Sequence, residues 1–473
     1  MVHTNHFGKK GKAMEKTIKN WLLEHEEEFV QDLSALVRIN SVRGETRGDL
    51  PFGEGPKDAL DAGLKICDRY GFHTKNWDNY VGTADFSPEL PHSLDILGHL
   101  DVVPAGEGWE VTGPFEPLVK DGIIYGRGVS DDKGPVLAAL YAMRAVKELG
   151  YSLKKGVRLI MGTNEETGSA DLEYYYKREK AGEMSFTPDA EFPIINIEKG
   201  AMHGTLRKNR TVEGSLLSMK AGVAVNAVPQ KAVMEFKNLS DEEFNAAKLA
   251  VEKECSVQIQ RSGNTVTVIG VGAHASTPHL GKNAGLAALS FAVKLPSLGA
   301  EDRKAFEAVL ALFPYGVTDG SGIGTKLQDE ESGELTCTLD IFEVGEKEMH
   351  FIYDSRIPIC GTKENCEDMA RKTVEEKGFI FETEGMVPPH HVPKDSDFIK
   401  ALLSCYEKVT GEKGECLAIG GGTYVHHVEN GVAFGAILPG VDTHMHGADE
   451  WIKVKDLLLA AEIYAESILA LCQ

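Results

Sequence analysis

The segment SLDILGHLDVVP (residues 93–104) is an apolar run that breaks at Gly98 and then delivers His99, Leu100 and Asp101, a nitrogen ligand and a carboxylate two residues apart. Alone, such a pair is weak evidence, because a histidine at a strand end is more often structural. The arrangement recurs, however. VRLIMGTNEETGS (157–169) places Asn164, Glu165 and Glu166 behind a second apolar run, GRGVSDDKGP (126–135) places Asp131 and Asp132 just ahead of a helix, and TPDAEFP (187–193) carries Asp189. Near the end of the chain, VDTHMHGADE (441–450) adds His444 and His446. Ligands of open α/β sheets collect at the carboxyl ends of the strands, so these residues are expected to converge. Carboxylates packed together repel one another and raise their own pKa values unless a cation intervenes. Imidazole and carboxylate donors without thiolate suit zinc, and manganese or cobalt fits the same set. The inventory suffices for two ions ~3.5–4 Å apart that share one carboxylate.

The elements that must position these groups are legible as short apolar runs and one strong helix. LDILGHL, VRLIMGTN and FPIINIEKG read as buried strands bounded by Gly, Asn or Pro. Residues 135–149 read as a helix, with Pro135 in the first turn, Val136, Leu140, Met143 and Val146 at three- and four-residue steps, and Gly150 as the stop. A polar helical segment is predicted over 15–37. Strands alternating with helices predict an α/β domain. From about residue 204 the texture changes to hairpin-like alternation, as in NTVTVIGVGAHAS and ELTCTLDIF, interleaved with the helical AGLAALSFAVKL. The stretch MVPPHHVP (386–393) reads as a linker, after which helix and buried strand return in FIKALLSCYEKVTG and VAFGAILPG. The predicted organisation is therefore an α/β domain, a mixed sheet flanked by helices, in two segments (14–199 and 385–473), with an α+β domain (200–384) inserted between them.

Composition excludes several partner classes. A chain of 473 residues exceeds the size at which one core keeps growing, and 42% hydrophobic with 26% charged residues is ordinary for globular domains. The formal net charge of −22 argues against binding a phosphate backbone. No apolar run approaches the roughly 18–20 residues of a membrane span. The first seventeen residues, MVHTNHFGKKGKAMEKT, are basic with no apolar stretch, which predicts no secretory signal. His3 and His6 read as tail residues and Met14 as an alternative start. Eight scattered cysteines without a CxxC pair predict reduced thiols and a cytoplasmic protein.

Eight motifs in order, GHLDVVP, GRGVSDDKGP, NEETGS, TPDAEFP, AHAS (273–276), DSRIP (354–358), GGGTY (420–424) and HGADE (446–450), make the chain resemble the M20 family of metallopeptidases, and most closely its bacterial dipeptidases. Carried over residue by residue, the resemblance implies that Asp131 bridges two metals, two Zn2+ with Mn2+ or Co2+ as substitutes, and that the peptide after it is cis. His99 and Asp189 would bind one ion, Glu166 and His446 the other. It singles out Asp131 over Asp132 because the bridge lies two residues before Lys133, and His446 over His444 because the ligand lies four residues before Glu450. Glu165 becomes the general base toward a water activated by the metals, and Asp101 orients the imidazole of His99. In the inserted domain, an enlarged lid by the same resemblance, His274 is an oxyanion donor, Arg356 a clamp for a substrate carboxylate and Asn226 a further substrate contact, to which Gly421 and Gly422 of the 385–473 segment add their backbone.

The implied reaction is hydrolysis of unblocked dipeptides, β-Ala-Xaa and Xaa-His types included, by a monomer whose lid limits substrate length. Two other readings share parts of this pattern. An N-acyl amino acid or succinyl-diaminopimelate deacylase would keep the metal ligands and differ in the lid. A non-catalytic metal- or peptide-binding protein would not need Glu165, which is present.

Overall fold

The structure is a computed structural model that describes residues 17–473. His3, His6, Met14 and the first two residues of the predicted 15–37 helix lie outside the described residues. The chain divides into two compact units, one comprising Met1–Asn196, Val392–Leu417 and Thr423–Gln473, the other Ile197–His391 and Ala418–Gly422.

The first unit is built on a mixed sheet. The hairpin His73–Trp77/Val81–Asp85 adds antiparallel to Gly156–Gly162, which lies parallel to His92–His99; Met184–Thr187 and Gly431–Ala433 continue the parallel set. His99 is registered against Gly162, so these two strands end together. Their carboxyl ends lead into Asp101 and into Asn164–Glu166, while Met184–Thr187 leads into Asp189. Burial on both faces explains why these strands are continuous apolar runs rather than alternating ones. Helix Lys133–Glu148 is buried from Lys133 to Val146 and packs against Val454–Cys472. Each fully buried Val, Leu or Met of this layer, such as Val136, Leu137, Leu140 and Met143, contributes about 1.5–3 kcal/mol.

Three local expectations are revised. The N-terminal helical stretch is two helices, Ile18–Glu24 and Glu26–Val37, because the Trp21 carbonyl that would accept the His25 amide instead accepts His25 Nδ1 at 2.7 Å. VAFGAILPG is two strands, Gly431–Ala433 and Ala436–Ile437, separated at Gly435 (φ +77), where a Cβ would lie 2.2 Å from the Phe192 ring. Ala436–Ile437 thereby pairs with Ala190–Glu191, next to Asp189. MVPPHHVP is partly paired: Val387 bridges Ala201, and His390–His391 pairs with Glu198 and Ile197. Its prolines have no N–H to donate, which leaves the pairing to Val387, the two histidines and Val392, whose amide donates to the Asn196 carbonyl at 2.9 Å.

The second unit is an eight-stranded sheet in the order Gln258–Ser262, Thr265–Ile269, Lys231–Phe236, Leu216–Ala221, Thr336–Val344, Glu348–Ile357, Gly200–Asn209 and Ile380–Glu382. One face, with Leu339, Phe342, Phe351 and Tyr353, packs on a core that also takes Ala287, Leu289 and Phe291 of helix Ala284–Val293. On strand Glu348–Ile357 the alternation puts Ile352, Asp354 and Arg356 on the other face. The end of strand Gly200–Asn209 is pinned by Arg210, which meets both carboxylate oxygens of Asp302 (2.9 and 2.8 Å) and the carbonyls of Leu216, Leu217 and Gly345. Both charges are buried, so removing one leaves the other uncompensated. Asp302→Ala should destabilise this unit by about 3–5 kcal/mol, read as a lower urea midpoint at unchanged m-value.

Candidate metal centre

His99 is wholly buried at the end of its strand, and its Nδ1 lies 3.0 Å from the main-chain oxygen of Asp101. A carbonyl only accepts, so Nδ1 carries the proton and Nε2 presents its lone pair in the neutral ring. Nε2 has no hydrogen-bond partner. Around it stand Asp131 Oδ1 at 3.0 Å and Asp189 Oδ2 at 3.4 Å. A buried ring nitrogen facing carboxylates with no hydrogen-bond partner among the described residues is what a cation would satisfy.

Asp131 sits just before helix Lys133–Glu148, and the Asp131–Asp132 peptide is cis. While Oδ1 faces His99, Oδ2 lies 2.7 Å from Nε2 of His446, so one carboxylate spans two imidazoles. Its neighbour Asp132 turns the other way: Oδ2 accepts the His99 amide at 3.0 Å, in space kept open by Gly98, where a Cβ would lie 2.6 Å from that oxygen. His446 adopts φ +62 and also approaches Glu166 Oε2 at 3.4 Å. Donor atoms of His99, Asp131 and Glu166 lie within 4.8 Å of one another, as do those of His99, Glu165 and Asp189.

The loop carrying Glu165 and Glu166 is held by the Asp101 carboxylate, which accepts both of their amides at 3.1 and 3.3 Å. Toward His99, the Asp101 carboxylate is 3.5 Å from Nδ1 and the main-chain oxygen takes the shorter contact. Burial first, then the charges of Asp189, Glu166 and Asp131, pushes the Glu165 carboxyl well above the usual range against an opposing effect of His99. Glu166 and Asp189 are also raised by burial. Asp131 is held low despite its burial by the neighbouring imidazoles of His446 and His99. Hydrogen bonds with Asp131 and Glu166 push His446 up to about 11.

Sequence reading treated Glu450 only as a position marker for His446, yet its buried carboxylate organises the loop before Asp131. It accepts the amides of Gly128 and Ser130 (3.1 and 2.9 Å), the Ser130 hydroxyl (2.9 Å) and Arg127 Nη1 (2.7 Å). An Arg in GRGVSDD and a Glu in HGADE give no pairwise signal across more than three hundred residues.

The residues expected to contact substrate lie in the second unit and are brought together there. Strand Ala273–His274 pairs with Ala227–Val228, and the Ala275 amide donates to the Asn226 carbonyl at 2.9 Å. Ser276 N–H donates to His274 Nδ1 at 3.2 Å, leaving the neutral ring's proton on Nε2, and Ser276 Oγ lies 2.6 Å from the same nitrogen. Arg356 grips Asp354 with Nε and Nη2 (2.7 and 2.9 Å) and donates from Nη1 to the Gly420 carbonyl at 2.7 Å. Within the glycine run, close approach is required at Gly420, where a Cβ would lie 2.5 Å from Ser276 Cβ; at Gly421 it would meet only Ile419, at 3.9 Å. All eight cysteines are free thiols, and no helix among the described residues is long and apolar enough to cross a membrane.

The model of "Peptidase family M20/M25/M40" matches residues 96–470. The Beta-Ala-Xaa dipeptidase of Lactobacillus delbrueckii subsp. lactis is 36% identical over 458 residues, spanning 93% of this chain and 95% of that protein. Among solved structures, human carnosine dipeptidase 1 matches with a TM-score of 0.60 at 17% identity (96% of this chain, 98% of that one). An M20 family metallo-carboxypeptidase from Sulfolobus solfataricus matches with a TM-score of 0.58, also at 17% identity (94% and 99%). At such identity the solved structures show the fold alone: a mixed α/β core with a second α+β unit.

Were His446 to bind a metal, as the family resemblance implies, uptake would displace the proton that Asp131 and Glu166 favour on it. Proton release on binding makes affinity rise with pH. Zinc affinity from chelator competition should therefore increase steadily from about pH 5 to about pH 8, with proton release seen in a weakly buffered titration. A pH-independent affinity would show that His446 is not displaced.

Proposed function

Because the chain belongs to the M20 peptidase family, we propose that it is a metal-dependent dipeptidase that hydrolyses the amide bond of unblocked dipeptides, β-Ala-Xaa and Xaa-His types included. The observation that carries this reading is Asp131, whose two oxygens face the Nε2 atoms of His99 and His446. In this reading the first unit is the catalytic domain and the second its enlarged lid, and the protein works as a cytoplasmic monomer. The relative named Beta-Ala-Xaa dipeptidase supports the substrate class.

Two zinc ions would be held, one by His99 and Asp189, the other by Glu166 and His446, with Asp131 shared; manganese or cobalt suits the same donors. When bound, the ions supply Lewis acidity toward the scissile carbonyl and toward water. Glu165 accepts a proton from the attacking water and returns it to the leaving amine. Asp101 fixes the main chain of Glu165 and Glu166 through their amides, which limits how far the base can stray. His274 presents Nε2–H to the oxygen that becomes negative, its tautomer set by the Ser276 amide on Nδ1. Arg356 retains one N–H on each of Nη1 and Nη2 for a substrate carboxylate. Asn226 and the backbone of Gly421 and Gly422 complete the peptide contacts.

The test is a substrate panel of Ala-Ala, β-Ala-His, Ala-Ala-Ala, N-acetyl-Ala and N-succinyl-diaminopimelate, run after chelation and re-addition of zinc or manganese. Cleavage should be confined to the unblocked dipeptides and should require about two metal ions per chain by elemental analysis. Glu165→Ala should lower kcat by about 10²–10⁴-fold while retaining metal. Activity on the acylated compounds alone would reassign the chain to deacylases. Arg356→Lys, which loses the planar fork, should raise KM by about 10–100-fold with a smaller effect on kcat.

A further inference from the structure

The GGGTY motif ends on Tyr424, to which the proposed mechanism gives no role, and the structure puts that side chain beneath the metal centre. Strand Gly156–Gly162 ends where the chain turns into Glu165–Thr167, which leaves the amides of Thr163 and Asn164 without strand partners. Both donate to one oxygen of Asp171, at 2.7 and 2.8 Å, and the Tyr424 hydroxyl donates to the same oxygen. Asp171 and Tyr424 are 0% and 1% exposed. The other side of Tyr424 is its ring, which meets the His99 imidazole edge-on with centroids 6.1 Å apart and planes at 84°. Gly162 makes room for this arrangement: a Cβ there would lie 1.9 Å from the Tyr424 hydroxyl and 2.5 Å from Asp171.

From this geometry we infer that Tyr424 and Asp171 form a positioning pair that fixes the His99 ring and the Glu165–Glu166 loop relative to each other. The inference rests on the reading that those residues serve a metal site. A buried carboxylate and hydroxyl are costly unless fully hydrogen-bonded, and an apolar pair of similar volume would fill the same space. What the polar pair adds is direction. The carboxylate sets the two amides at which the Glu165–Glu166 loop begins, and the phenol that bonds to it cannot slide or swing away without losing that bond. The ring against His99 is held by the same constraint, so imidazole and carboxylate donors share one anchor. Groups that orient metal ligands without touching the ion commonly change metal affinity by about 10–100-fold.

The experiment compares full-length wild type, Tyr424→Phe, Asp171→Asn and the double variant by zinc competition with a chelator, together with the melting temperature of each metal-free protein. Tyr424→Phe keeps the ring against His99 and removes only the hydroxyl. Each single variant should bind zinc about 10–100-fold more weakly, and the double variant no more weakly than the worse single, because the Tyr424 hydroxyl acts only through Asp171. Zinc affinity within twofold of wild type, even with a lowered melting temperature, would reduce the pair to ordinary core structure and overturn the proposal. Losses that multiply in the double variant would overturn the shared anchor. His99→Ala separates the two levels: if it leaves zinc uptake intact, the metal reading itself fails and this inference falls with it.

Discussion

Like charge at close range is the constraint on which the rest of the first unit depends. Asp131, Glu165, Glu166 and Asp189 all bring an oxygen near the same buried imidazole. Two unit charges ~4 Å apart interact by about 1 kcal/mol in water and about 4 kcal/mol at an effective dielectric of 20. Four carboxylates removed from water therefore cannot all stay ionised without cations. Burial and mutual repulsion push Glu165, Glu166 and Asp189 up, contacts with Asp131 and Glu166 push His446 up to about 11, and Asp131, between the two imidazoles, is held low. Divalent ions would relieve the same repulsion.

A second set of buried carboxylates surrounds the first and does different work. Asp101 accepts the amides of Glu165 and Glu166, Asp132 that of His99, Asp171 those of Thr163 and Asn164, and Glu450 those of Gly128 and Ser130. Every one of these amides belongs to a donor residue or to the few residues leading into one. Parallel strands end with their last amides unpaired, and an acceptor carboxylate both satisfies the amide and fixes the turn. The density of acidic residues near the strand ends thus has two physical origins, cation binding and backbone satisfaction, and only the first concerns chemistry.

That division marks what the sequence could disclose. Apolar runs and the Pro135 start signal locate the strand ends and the helix, because burial periodicity and capping are local. The donors are legible as types, since His and Asp directly after an apolar run are unusual. Local sequence does not say whether Asp131 or Asp132 turns inward; the motif order of a family did that, and the two side chains indeed point to different partners. Asp171 and Glu450 carried no signal of their own, because an acceptor is defined by the amides it meets, which come from distant segments. MVPPHHVP read as a linker on its prolines, yet the residues between them keep their N–H groups and pair.

The second unit shows the same logic with the signs reversed. DSRIP contains its own counter-ion: residues two apart share a face of a strand, so Asp354 and Arg356 meet, and a pairing visible in the spacing competes on paper with a substrate clamp. The hydrogen bonds remove the competition. Asp354 uses Nε and one Nη2 hydrogen, the Gly420 carbonyl uses one Nη1 hydrogen, and two of the five N–H groups remain. A guanidinium already immobilised by a buried carboxylate has lost its rotamer freedom before any ligand arrives, a cost of about 0.5–1.5 kcal/mol that binding then avoids. The internal ion pair therefore leaves Arg356 better prepared to receive a second carboxylate than a side chain waving in solvent would be.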